Sequence, residues 1–345
     1  MRIPRYVVPQ KKQTAARAKY ALKCGWLRII QVNIERLILT LTVNPAIDRN
    51  ILVDRLVFED RAYILSRGES AGGRGINASR VLHSFGAKTL AVVTSGGENG
   101  GRFEKLLRQA GFPVKVVCIS HDIRVNFAIT DRQGLTVKLN ELGPPISAEE
   151  LADLEKAVET RLKSASWLML CGSIPPDVST DFYAKLIKIA REHKVKTLLD
   201  TDGDALVHGV EAGPTVVMPN QPEAERLLNR ALITRQHFMD AVTRIKAMGP
   251  ESVLLSLGSR GVVALNDHHL LEALPPRIDA LSPIGAGDAL AAAFVWAATK
   301  KKDFPDCVRW AVAAGTASAR LPGMEFASLE QTKETFRSVE VKLVR

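Results

Sequence analysis

The chain reads as an α/β protein built on one open, mostly parallel sheet with helices on both faces, and three observations predict this. Aliphatic, β-branched runs alternate with helical patterns through most of its length, an order that demands crossovers and therefore parallel strands. Nearly every strand-like run in the second half ends in a polar or glycine-bearing loop, so one rim of one sheet collects the reactive residues. With 345 residues the chain can also bury a large core, as one big α/β domain or two unequal ones.

Composition narrows the partners. Hydrophobic residues make up 46% and charged residues 24%, ordinary values for a globular protein in water. The net charge of +10 suggests a nucleic-acid partner until it is located: residues 1–34 hold eight Lys and Arg and no acid, which leaves +2 for the rest. That basic segment lacks the long apolar stretch of a secretory signal. It is expected to be a disordered tail or the product of an upstream start codon, a phosphate-binding arm being the other reading. Its aromatics are limited to Tyr6, Tyr20 and Trp26 and it has no recognition motif, so no specific nucleic-acid partner is expected. Four scattered cysteines without a CxxC pair indicate neither a zinc site nor a disulfide framework, and fit a reducing cytoplasm. No run of about 18 uninterrupted apolar residues exists, which argues against a membrane span.

The elements follow in order. The fold is expected to begin at Leu37, with 1–36 as extension and 37–345 as folded domain. Residues 37–43 are a buried strand stopped by Asn44-Pro45, and Asp48 then falls just past the strand's carboxyl end, where open α/β sheets hold ligands. From Ile51 to Leu65 apolar and charged residues alternate, the pattern of strands with one wet face in a small sheet standing off the main one. A strand at 90–94, a helix at 102–110 and a strand at 114–119 lead to a hairpin, 127–130 with 136–139, turning at Gln133-Gly134. Arg124 at its base is a surface charge or a phosphate ligand. Ser147-Ala148-Glu149-Glu150 opens a helix by a capping-type signal. Strands at 167–170, 196–200, 215–218, 252–257 and 262–265 then alternate with helices at 180–193 and 237–248.

Two glycine clusters stand out. In Ala71-Gly72-Gly73-Arg74-Gly75 the missing side chains let backbone approach a ligand, and Asn77 in the next turn can bond a hydroxyl; the alternative is a purely structural turn into a helix. Ser282-Pro283-Ile284-Gly285-Ala286-Gly287-Asp288 feeds an apolar run ending at Ala298, a tight loop entering a buried helix. Unpaired N–H groups at such a start attract anions. Asp288 there either caps the helix or waits beside a phosphate pocket to take a proton from an attacking hydroxyl.

Taken in order, the motifs resemble the ribokinase-like sugar kinases, the PfkB family, in its ketose-phosphate branch. They are Asn44-Pro45-Ala46-Ile47-Asp48, Gly72-Gly73-Arg74-Gly75-Ile76-Asn77-Ala78-Ser79-Arg80, Arg124-Val125-Asn126, Asn140-Glu141-Leu142-Gly143, Gly172-Ser173-Ile174-Pro175-Pro176, Asp200 to Leu206, Pro219-Asn220-Gln221-Pro222-Glu223, Ser256-Leu257-Gly258-Ser259-Arg260-Gly261 and Gly285-Ala286-Gly287-Asp288. The resemblance implies a ribokinase-like three-layer α/β/α sandwich with a small β lid drawn from about residues 48–70 and 122–140. It implies an ATP-dependent kinase acting on a ketohexose phosphate, fructose 1-phosphate first, then tagatose 6-phosphate or fructose 6-phosphate, then an unphosphorylated sugar or nucleoside; a paralogue that binds a sugar phosphate without turning it over is the alternative.

By the same resemblance Asp288 is the base, with the amides of Gly285, Ala286 and Gly287 forming the hole for phosphate charge. Asn220 and Glu223 organise Mg²⁺ through water; Ser256, Gly258, Gly261 and Gly315 border the nucleotide. Asp48, Gly72, Gly73, Asn77 and Arg124 hold the sugar, Arg124 by its phosphate. A lid with an apolar face must have that face covered, so a homodimer through the lid is expected. The chain departs from the family pattern at Tyr63 (a basic lid residue is common), Arg74 (Lys), Asp202 (Ser), Met218 (Lys) and Pro283 (Thr).

Overall fold

The protein is described from a computed structural model over residues 37–344, which form one compact unit. The expected basic extension, 1–36, lies outside the described residues.

Strand β1 (Leu37–Thr42) is buried along its whole length, and its alternation sets the layers. Leu37, Leu39 and Leu41 face one hydrophobic cluster, while Ile38 faces a second on the opposite side of the sheet. On that second side Thr40 shares a 2.8 Å hydroxyl–hydroxyl hydrogen bond with Ser79, which satisfies a polar pair inside the core.

From β1 the chain runs through β2 (Ala46–Val53), β3 (Ile64–Gly72), α1 (Arg74–Ser84), β4 (Thr89–Gly96), α2 (Gly97–Gln109), β5 (Val114–Ile119), β6 (Arg124–Asp131) and β7 (Thr136–Asn140). Then come α3 (Ala148–Leu162), β8 (Ala165–Cys171), α4 (Phe182–Glu192), β9 (Lys196–Asp200), α5 (Gly203–Glu211), β10 (Val216–Val217), α6 (Gln221–Leu228) and α7 (Arg235–Ala247). The last part holds β11 (Ser252–Ser256), β12 (Val262–Leu265), β13 (Leu270–Leu274), α8 (Ala286–Thr299), α9 (Phe304–Ala319), α10 (Leu329–Phe336) and β14 (Glu340–Leu343).

The main sheet has ten strands in the order β14-β13-β12-β11-β10-β9-β8-β1-β4-β5. It is parallel from β5 to β11 and antiparallel from β11 to β14. The order reverses at β1, between β4 and β8, and a switch point of this kind opens a crevice at the carboxyl ends of the strands. Helices α2, α3, α4, α5 and α7 cover one face; α1, α8 and α9 cover the other. Helix α8 is buried from Ala289 to Trp296 because sheet and α9 enclose it on both sides. The fold is the expected three-layer α/β/α sandwich.

The second sheet, β3-β2-β6-β7, stands off as a lid. Strand β2 pairs antiparallel with β3 and parallel with β6, which pairs antiparallel with β7. Some elements differ from expectation. Asp48 sits on β2, not in a loop past β1, because Pro45 interrupts the ladder only briefly before the chain joins the lid. Helix α2 begins at Gly97, five residues early, since Asp122 from a later loop accepts the Asn99 N–H at 2.9 Å and caps it from outside. Asn220 is the N-cap of a helix, not part of a strand-end loop.

Candidate active site

Two cavities meet at the start of α8. The larger, about 920 Å³, is lined by Ser256, Gly258, Gly261 and Gly315 together with Ala286 and Gly287. The smaller, about 270 Å³ and mostly polar, is lined by Asp48, Gly73, Asn77, Arg124, Gly285 and Asp288. The four residues expected at the nucleotide thus share one cavity, four of the five expected at the sugar share the other, and the Gly285 to Asp288 turn lies between. Gly72 lines neither: a Cβ there would come within 1.9 Å of Asp48 Oδ2, so its bareness gives the carboxylate room.

The turn is held by local geometry. Gly285 is the N-cap with φ +78°, and a Cβ on it would sit 2.8 Å from the Phe326 ring. A Cβ on Gly287 would meet open space. The Ala286 N–H leans toward Pro283 O at 3.3 Å. Gly315 on α9 has its own reason: a Cβ would lie 3.0 Å from Ala286 O, so only glycine lets α9 approach the first turn of α8.

Asp288 is half-buried in the first turn of α8, and its Oδ2 accepts a 2.7 Å hydrogen bond from Asn77 Nδ2. Burial, and then the neighbouring Asp200, push its pKa up to about 7, against the hydrogen bond from Asn77 and the charge of Arg74. A carboxylate so poised near neutrality has the character of a general base. Asp48 is also raised by burial, opposed by a 2.9 Å hydrogen bond from Asn126 Nδ2 and by the charges of Arg124, Arg80 and Lys138. Asn44, Asn77 and Asn126 each keep a buried Oδ1 without a partner, acceptors suited to the hydroxyls of a polyol.

Arg74 ties the two sides together. One guanidinium donates to Asp200 Oδ1 at 2.8 Å, Asp202 Oδ2 at 2.8 Å and Glu223 Oε1 at 3.3 Å. The charge of Asp200 above all holds it more firmly protonated than a free arginine. Two of the departures from the family pattern, Arg74 and Asp202, are therefore partners. Met218 is buried among apolar side chains and puts no charge on the rim, Tyr63 is exposed at the lid, and Pro283 lines the larger cavity.

Asn220 and Glu223 form a capping box at α6. Asn220 Oδ1 accepts the Glu223 N–H and Glu223 Oε2 accepts the Asn220 N–H, both at 2.9 Å. With Oε1 facing Arg74, both carboxylate oxygens are engaged. Among the described residues no group of three His, Cys, Asp or Glu is placed to hold a metal ion directly. The three carboxylates around one guanidinium leave negative charge nonetheless, a donor set that fits a hydrated Mg²⁺ carried by a nucleotide.

Residues 41–331 match the family profile described as pfkB family carbohydrate kinase. The chain belongs to this family. A curated relative, the 1-phosphofructokinase of Vibrio cholerae, is 26% identical over 304 residues, covering 88% of this chain and 96% of the relative. The phosphofructokinase-2 of Escherichia coli in complex with fructose-6-phosphate superposes with a TM-score of 0.81 at 25% identity, covering 88% of this chain and 99% of the other. The same enzyme in complex with substrates and products gives 0.82 and 26%, over 87% and 98%. The protein is thus an ATP-dependent carbohydrate kinase.

Sequence reasoning missed several residues of this carbohydrate kinase's polar cavity: Asn44, Asn126, Lys138 and Asn140 line it as well. The alternation of strands β6 and β7 held a signal for them, since Asn126 pairs with Asp48 and Asn140 with Asn126 in one row across the lid. Arg124 is where it was expected, but its Nη1 and Nη2 donate to Glu141 O and Asn44 O, each at 2.9 Å, and clamp the lid root to the end of β1. No helix among the described residues is long and apolar enough to cross a membrane.

Proposed function

We propose that the kinase transfers the γ-phosphoryl group of ATP to a hydroxyl of a ketohexose phosphate, with fructose 1-phosphate giving fructose 1,6-bisphosphate as the preferred reaction. The observation that carries this reading is Asp288, raised to about 7 and standing at the junction of a glycine-lined cleft and a polar, amide-lined pocket. The 1-phosphofructokinase relative supports the choice of acceptor. The likeness to phosphofructokinase-2 bound to fructose-6-phosphate favours that sugar phosphate as second reading, with tagatose 6-phosphate beside it.

In the mechanism the acceptor lies against Asp48, Asn77 and Asn126, and ATP lies along Ser256, Gly258 and Gly261 toward Gly315. Asn77 fixes one oxygen of Asp288, leaving the other to take the proton of the attacking hydroxyl. The hydroxyl oxygen bonds to the γ-phosphorus, the bond from phosphorus to the β–γ bridging oxygen breaks, and ADP leaves with that electron pair. The amides of the Gly285 to Gly287 turn face the charge that develops. Mg²⁺, which neutralises phosphate charge when bound, would be held through water by Glu223 and Asn220.

The lid leaves Ile64, Leu65, Val137 and Leu139 exposed, apolar surface that a homodimer through the lid would cover. A monomer in sedimentation of the full chain would overturn that part. Free Cys118, Cys171 and Cys307 suit a cytoplasmic enzyme. An ADP-release assay with ATP and magnesium decides the activity across fructose 1-phosphate, fructose 6-phosphate, tagatose 6-phosphate and the free sugars. Turnover on a ketohexose phosphate is expected; silence on all of them would sink the catalytic reading.

A further inference from the structure

The polar cavity has four cationic side chains in its lining, Arg49, Arg74, Arg124 and Lys138, and three of them are already engaged. Arg49 donates to Glu69 at 2.6 Å and lies over the Phe127 ring. Arg74 is surrounded by three carboxylates. Arg124 donates from each terminal nitrogen to a backbone carbonyl, which fixes the guanidinium against the lid root, and its buried Nε has no partner among the described residues. Lys138 makes no hydrogen bond or ion pair among the described residues, although its charge reaches Asp48.

The register of the lid says where that free ammonium stands. Asp48, Asn126 and Asn140 form one cross-strand row, and Asn50, Ala128 and Lys138 form the row two residues along, on the same face. Two residues of extended strand advance about 7 Å, close to the length of a hexose. The acceptor's reacting hydroxyl belongs at Asp288 and its ring hydroxyls at Asp48, Asn77 and Asn126. Its far end then falls beside Lys138.

We infer that Lys138 is the residue that reads the phosphate already carried by the acceptor, and that it sets the preference for a sugar phosphate over a free sugar. The inference rests on the sugar-phosphate reading above. An ammonium on a flexible stem, with three donors and no competing carboxylate bond, suits a phosphate dianion. Arg124 acts mainly as the clamp of the lid beneath it. A lysine on an edge strand could also serve only to keep that edge from pairing, a role that would not touch substrate affinity.

Full-length parent, Lys138→Met and Lys138→Arg are assayed with fructose 1-phosphate, fructose 6-phosphate, tagatose 6-phosphate and free fructose, and melted with and without each. Lys138→Met is expected to raise the KM for the sugar phosphate at least tenfold more than the KM for ATP, and to lose the rise in melting temperature that the sugar phosphate gives the parent. Lys138→Arg recovers most of both. Equal KM values in Lys138→Met and an active parent would overturn the role of Lys138 alone. A parent that turns over free fructose and no sugar phosphate would overturn both this inference and the reading on which it rests.

Discussion

Arg74 and Asp202 are joined by a 2.8 Å ion pair across 128 residues of sequence, and the same guanidinium also holds Asp200 and Glu223. Removing one partner of such a cluster leaves buried carboxylates uncompensated. Arg74→Met is therefore expected to destabilise the protein by about 3 kcal/mol or more, and Asp202→Ser by clearly less, since two carboxylates still hold the guanidinium. Denaturant melts of the two variants and the double variant check this; equal losses would contradict it.

Asp288 must be ionised to take a proton, so kcat is expected to rise with pH through about 7 and to be lost below it. Asp288→Asn lowers kcat by roughly a hundred- to ten-thousandfold. The stability sign is opposite. The folded state holds this proton to about pH 7 and the unfolded chain only to its ordinary value, so the stability that protonation contributes declines as pH rises toward and through 7. Melting the parent against Asp288→Asn from pH 4 to 8 should show the parent losing ground, with no further loss once the carboxylate is ionised.

The two glycines of the turn separate in their demands. Alanine at Gly285 must adopt φ near +78° and meets Phe326 at 2.8 Å, whereas alanine at Gly287 points into open space. Gly285→Ala is expected to cost about 1–2 kcal/mol from the backbone alone and to lower kcat by roughly a hundredfold as the anion hole shifts. Gly287→Ala folds normally and raises the KM for ATP, because its methyl enters the larger cavity. Melting temperature and steady-state kinetics separate the two.

Arg124 bonds carbonyls at both ends of the lid root, so Arg124→Met should loosen the lid before it alters the chemistry. Hydrogen exchange is expected to quicken across β6 and β7, with the KM for the acceptor rising and the main-sheet amides unchanged. Unchanged exchange in the lid would leave the clamp without support.

Local pattern carried much of this. The alternation in residues 37–43, the glycines before Asp288 and the apolar run after it each act within one element, and the structure has them as a buried strand and a helix start. The order of motifs along the chain carried the family, confirmed over residues 41–331. Other outcomes depend on atoms that sequence separates. Helix α2 starts where Asp122 reaches back to cap it, and the Asn220 to Glu223 motif turned out to be a reciprocal cap whose carboxylate also faces Arg74.

The sequence by itself determined the sheet order's class, the helix that carries Asp288 and the glycines that free its approach, because strand period, helix entry and missing side chains are short-range properties. Only the tertiary structure decided which charges are spent and which are free. Arg74 and Asp202, each a departure alone, are a pair in space; Arg124 is fixed by two carbonyls, while Lys138 stands unpaired among the described residues over the same pocket. The physical reason is that pairing depends on distances of a few ångströms between side chains that the fold, and not the chain order, brings together.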